Sequence, residues 1–209
     1  AAYRNNRPDN STQRGAVICL AQPRTKSSDS RGCVIEYESH KINRTVLSTT
    51  VAELYAFQKT YGTCQFLRGL WMDISCQIAP IHMRTDANNL VTTAGTTHLP
   101  EQKETIHMIQ MLRREAVSGS IEDLGHIDSK HMLADCLTKA SAKPDVLLKA
   151  IETGNLPCVD ASPEFRKALK HKAYLVNWMA NNLKDIRKAK CFMLYPIGAE
   201  VHAYFTMSK

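Results

Sequence analysis

Between Leu54 and Trp71 the apolar residues Leu54, Phe57, Tyr61, Cys64, Leu67 and Trp71 recur at steps of three and four. A helix of about five turns with one apolar stripe results, and such a stripe must cover an apolar surface elsewhere in the chain. The flanking sequence offers that surface as strands. Gly15 to Ala21 (GAVICLA) is apolar and rich in β-branched residues, and it follows a polar loop, Asn5 to Arg14, containing Pro8 and Asp9. It reads as a strand returning from a hairpin. Pro23 to Gly32 is a turn, and Cys33 to Glu38 is a third strand whose pattern extends through Lys41 to Leu47. The opening is therefore expected to be a three-stranded meander. Thr50 and Glu53 have capping-box spacing and mark the start of the long helix.

Downstream the period switches repeatedly. Ile81 to Thr85 predicts a short strand ending at Asp86, and Asn88 to Thr93 a short helix. Pro100 opens a second clear helix that Gly119 stops, with Arg113 and Arg114 near its end. Ile121 to Ile127 is a strand, Lys130 to Lys139 is helical in pattern, and Pro144 to Glu152 is a helix closed by Gly154. Strands first, then helix, strand, helix, strand, helix describes an α/β domain: a mixed sheet with helices packed on it. Leu156 to Ser162 holds Pro157, is followed by Pro163 and shows no periodicity, so the expected division is a domain over 1–156 and an extension over 157–209. Within that extension Glu164 to Lys190 reads as a basic helix, and Cys191 to Met207 is apolar, interrupted by Pro196 and Gly198.

Composition narrows the classes. The 209 residues carry 7 cysteines, odd in number, scattered and without a C-x-x-C pair, which argues against a disulfide framework or zinc ribbon and fits a reducing interior compartment. No apolar run reaches membrane-spanning length, and Ala1 to Asn10 is too polar for a secretory signal. Net charge is +7, and Ala161 to Lys209 holds 9 basic against 3 acidic residues, leaving 18 against 17 before it. A basic tail suits contact with an anionic polymer; a solvated helix face is the plainer reading.

Three carboxylates occupy distinctive places: Glu53 in the first turn of the long helix, Asp86 at the end of a strand, Asp135 in the later helical stretch. Like charges gathered at one edge of a sheet need hard cations, and oxygen ligands favour magnesium or manganese. Two-metal phosphodiester hydrolysis is the chemistry such a cluster supports. Each residue also has a structural reading: Glu53 as a capping residue, Asp86 as the cap of the next helix, Asp135 as a solvated helix charge. His126, His131 and Cys136 have conceivable zinc spacing but no evident fourth ligand.

The ordered segments resemble the ribonuclease H domain at the end of the Pol polyprotein of Ty1/copia-type retrotransposons. Those segments are Ser48-Thr49-Thr50-Val51-Ala52-Glu53-Leu54-Tyr55-Ala56, Phe66-Leu67-Arg68-Gly69-Leu70, Arg84-Thr85-Asp86-Ala87-Asn88-Asn89-Leu90 and Met132-Leu133-Ala134-Asp135-Cys136-Leu137-Thr138-Lys139. The resemblance covers roughly Ala1 to Leu156. It implies a ribonuclease H-like mixed five-stranded sheet with helices packed on it, plus the helical basic C-terminal extension. It also implies hydrolysis of the RNA strand of RNA/DNA hybrids by two magnesium ions, with manganese as substitute, during reverse transcription. Glu53, Asp86 and Asp135 would be both catalytic residues and metal ligands, and they would converge on one sheet edge, none of them on the opposite face. Asn88, Asn89 and Lys103 would contact the hybrid. The implied partners are the hybrid and the reverse transcriptase portion of the same polyprotein, with no membrane, in a cytoplasmic particle or the nucleus.

The family's first aspartate, on its first strand, has no match. Ala1-Ala2-Tyr3 begins where the residue after it is expected, so a first strand cut short before Ala1 is the simplest account, with Ala1 expected on a central strand. Asp9 fits a turn better than a ligand position. A degenerate or domesticated copy, keeping the fold and binding nucleic acid without cutting it, is the alternative. An integrase-type nuclease fits less well, since its last acidic ligand is usually a glutamate.

Overall fold

The computed structural model describes residues 12–22, 30–43, 46, 48–96, 103–139, 141–157 and 200–207. Its opening is a hairpin of two long strands, β1 (Gln13–Ala21) and β2 (Ser30–Lys41), paired antiparallel from Gln13 opposite Lys41 to Ala21 opposite Gly32. Ile18 faces Glu36 while Cys19 faces Val34, so Ile35 is a bulge residue in β2. No strand occupies the described residues between Lys41 and the following helix, and the first strand of the expected meander, with Ala1 and Asp9, lies outside the described residues.

The long helix is α1 (Thr49–Ser75). Its cap is Ser48 rather than Thr50: Ser48 sits in extended backbone and its Oγ accepts the Val51 N–H at 3.3 Å. Cys76 ends it in the left-handed region at φ 57°. Next come β3 (Ile81–Thr85), α2 (Asn88–Gly95), α3 (Lys103–Val117) and β4 (Asp123–His126). α4 (Asp145–Thr153) ends at Gly154, whose φ of 68° suits a residue without Cβ, and β5 (Asn155–Leu156) and β6 (Glu200–Met207) follow.

Where Lys130 to Lys139 reads as a helix, the chain makes two separate 3-10 turns, Ser129–His131 and Asp135–Leu137. Met132, Leu133 and Ala134 between them are buried, so consecutive residues reach the core where a helix would turn some of them outward.

The sheet has six strands, not five, in the order β4-β3-β6-β1-β2-β5. β6 is antiparallel to β1 and parallel to β3, and β3 is parallel to β4, so β6 joins the antiparallel half to the parallel half. Residues 200–207, expected in the extension, thus supply a central strand. The expected basic helix, Glu164 to Lys190, lies outside the described residues.

β1 divides the core by the two-residue alternation of a strand. Ala16 and Ile18 pack in one cluster with Leu54, Phe57 and Cys64 of α1, with Ile109 and Leu112 of α3, and with Ile81 and Met83 of β3. Val17, Cys19 and Ala21 pack in the other with Met132, Leu133, Ala134, Leu147, Ala150 and Leu156. Helices α1 to α3 therefore cover one face, and the 3-10 turns with α4 cover the other.

Candidate functional site

Strand register places three segments at one end of the sheet. Gly15 pairs with Ser39 on one side and with Thr206 on the other, while Thr85 pairs with Phe205 and with His126. Asp86, one residue beyond Thr85, therefore lies in the same row as Gly15 and Ser39. It is 6% exposed, and Ser129 Oγ donates to its Oδ2 at 3.4 Å. It does not cap the following helix: the N-cap position is Ala87, with no side-chain cap, and Thr85 Oγ1 accepts the Ala87 N–H at 3.1 Å.

The turn that carries Asp135 packs directly over Gly15. A Cβ on Gly15 would meet Thr138 Cγ2 at 2.7 Å and the Ala134 carbonyl oxygen at 3.1 Å, so the close approach requires glycine. Ser39 Oγ donates to the Leu137 carbonyl at 2.6 Å and Gln13 Nε2 to the same oxygen at 3.2 Å, tying the turn to both strands. Lys139 Nζ pairs with the Asp135 carboxylate, so the charge is compensated locally and is not merely solvated.

Glu53, 6% exposed, arrives from the other face just past the first turn of α1, which holds no acid. The helix starts at this end of the sheet, because Tyr55 and Lys59 line one cleft with Arg14, His40 and Lys41. It finishes at the far end, where Met72 lines a hollow with Ala79 and Pro80, just before β3. The three acids thus share an end of the sheet but not a face: Glu53 belongs to the α1 layer, Asp135 to the opposite layer, and Asp86 to the strand end between them. The expectation of a common face is corrected on this point. The physical reason is that residues 127–139 cross beyond the strand ends to the side where Met132 to Ala134 find their apolar cover.

A purely oxygen donor set suits a hard divalent cation. Among the described residues, however, no three histidine, cysteine, aspartate or glutamate side chains stand close enough together to hold one. That statement also covers His126, at the exposed end of β4, and His131, exposed in its 3-10 turn, together with Cys136. Asn88 and Asn89 are exposed in the first turn of α2, directly after Asp86, and Lys103 is exposed at the start of α3.

A second carboxylate cluster has no sequence signal at all. His82 and Arg84 on β3 flank Asp123 on β4; Arg84 pairs with Asp123 through both terminal nitrogens, the Nη2 bond being 3.2 Å, and His82 Nδ1 lies 3.2 Å from Oδ1. Arg84 is fully buried and Asp123 is 9% exposed. Burial alone would raise the Asp123 carboxyl, but the guanidinium charge and the His82 contact outweigh it and hold the group well below the usual carboxylate range.

No family model, curated protein or solved structure matches this chain. No described helix is long and apolar enough to cross a membrane.

Proposed function

We propose that this chain is a ribonuclease H-like domain of a retrotransposon Pol polyprotein that binds RNA/DNA hybrid, with Glu53, Asp86 and Asp135 as its metal-binding and catalytic carboxylates. The observation that carries the reading is the placement of Asp86: nearly buried, at the carboxyl end of a central parallel strand, not used as a helix cap, and level with the turn that bears Asp135. Ligands of open α/β sheets gather outside the carboxyl ends of parallel strands. Asn88 and Asn89, exposed directly after Asp86, and Lys103, exposed at the start of α3, would meet phosphates and 2′-hydroxyls rather than base edges. Magnesium would supply a hydroxide at neutral pH and stabilise the leaving oxygen only where Glu53, Asp86 and Asp135, which do not stand close enough together in this structure, close on it. The chain's own part is to hold the carboxylates at the sheet end, with Ser129 orienting Asp86 and Lys139 holding Asp135. The reverse transcriptase portion of the same polyprotein is the proposed companion.

A second reading, a module that binds hybrid without cutting it, is favoured by the strand beside Asp86. That slot is filled by β6, whose residue at the Asp86 level is Thr206, so no fourth acid joins the row there. The two readings separate in one assay, with labelled RNA/DNA hybrid and magnesium or manganese. The nuclease reading expects weak RNA cleavage that Asp86→Asn, Glu53→Gln or Asp135→Asn each abolishes. Tight hybrid binding with no cleavage in any of these proteins establishes the module. Cleavage unaffected by Asp86→Asn removes the proposed site.

A further inference from the structure

A cleft of about 860 Å³ opens beside the β1–β2 end of the sheet, against α1 and α3, and none of the site carboxylates lines it. Its described walls present Arg14 and Lys41 from the strand ends, Lys59 from α1 and the imidazoles of His40 and His107. Not one described lining residue is a carboxylate. Glu38 is engaged by the lining residue Arg14, with His40 Nε2 at 3.5 Å. Tyr55, half-buried, adds an aromatic ring among these cations.

We infer that this cleft is a second nucleic-acid site, one that takes the phosphate backbone of a single strand and stacks a base on Tyr55. Lys41 and Lys59 with two imidazoles, beside an Arg14 already paired to Glu38, come from two strand ends and two helices, and match a run of phosphates better than one small anion. A basic groove with an interleaved aromatic is how single strands are held without regard to sequence. A duplex keeps its bases stacked inside and has none to offer the tyrosine. The inference does not depend on hydrolysis at the carboxylates, because it uses a different set of residues on the α1 side of the sheet.

The test is fluorescence anisotropy of a labelled oligothymidylate with the full chain, repeated across salt concentrations. Wild type is expected to bind, and Lys41→Ala/Lys59→Ala to bind about tenfold more weakly, with the slope of log affinity against log salt reduced by about 0.7 for each phosphate no longer neutralised. Tyr55→Leu is expected to weaken binding at unchanged slope. Lys59→Gln, at an exposed helix position, gives a milder readout should the double variant fail to fold. Unchanged affinity and slope in a lysine variant with a wild-type circular dichroism spectrum overturns the inference, as does absence of wild-type binding. Equal competition by polyglutamate, or equal affinity for blunt duplex DNA with no Tyr55 effect, overturns the single-strand assignment. The probe contains no RNA to cut and is read without added divalent metal, so failure here and failure of the proposed nuclease site are read separately.

Discussion

Asp123 and Asp86 are both buried carboxylates on the parallel half of the sheet, yet their surroundings are opposite. Asp123 lies within β4 and meets a fully buried guanidinium and an imidazole on the neighbouring strand. Asp86 stands one residue past the end of β3, with a serine hydroxyl as its described donor. The first arrangement ties two strands together. The second leaves a carboxylate at a sheet end beside exposed amides, which is a poor way to stabilise a fold and a reasonable way to hold something that comes and goes. Burial alone does not mark an acid as structural; for Asp123 it is the guanidinium on the neighbouring strand that does.

The sharpest way to break this comparison is Arg84→Ala. It strands a buried carboxylate and is expected to cost about 3 to 5 kcal/mol, read as a fall in the urea midpoint. A destabilisation no larger than that from Asp86→Asn would erase the distinction. Acidification probes the same pair. The folded Asp123 carboxyl lies below its ordinary value of 3.8, so the unfolded chain binds its proton first as pH falls. The stabilisation is therefore fully present above that value and is lost as pH drops below it toward the folded pKa. Urea midpoints between neutral pH and pH 3 are expected to fall less steeply in Asp123→Asn, itself destabilised, than in wild type.

Gly15→Ala is expected to cost about 1 to 3 kcal/mol, because the new methyl would enter the space of Thr138 and the Ala134 carbonyl. Hydrogen exchange should show the loosening first in residues 134–139. Asp86→Asn comes last in stability, within about 1 kcal/mol of wild type, since an amide keeps an acceptor for Ser129. Its consequence is expected in divalent-cation binding by calorimetry and in hybrid cleavage.

The periodic parts of this molecule are readable in its sequence. α1, β3 and α4 follow from apolar spacing, and Asp86 at the end of a strand is visible because Ile81 to Thr85 is short, apolar and bounded. The segment around Asp135 misleads, because Met132, Leu133, Cys136 and Leu137 have the spacing of a helix and two 3-10 turns satisfy the same spacing. β5 is two residues long and pairs only with Ser30 and Arg31, too short to leave a pattern. The Arg84–Asp123 pair spans 39 residues and has no local signature. Glu53, Asp86 and Asp135 stand out by order and family likeness, whereas their approach from two faces depends on where the chain crosses the strand ends. Pairing of Glu200–Met207 between β1 and β3 is equally nonlocal, and Pro196 and Gly198 just before it point to interruption rather than to a strand.

That pairing has a consequence in time. Thr85 finds its neighbour Phe205 only after 119 intervening residues, 86–204, have been made. During synthesis the β1–β2 hairpin and the β3–β4 pair are complete long before the strand that joins them exists. Until then β1 and β3 each keep open the edge that β6 later covers, the situation in which strands from other molecules pair by mistake. Closing so large a loop adds little to the equilibrium cost, which grows only logarithmically with its length, but it delays assembly. A ribosome-bound chain lacking residues 200–207 is therefore the stage at which this protein is most exposed to aggregation and most in need of a chaperone.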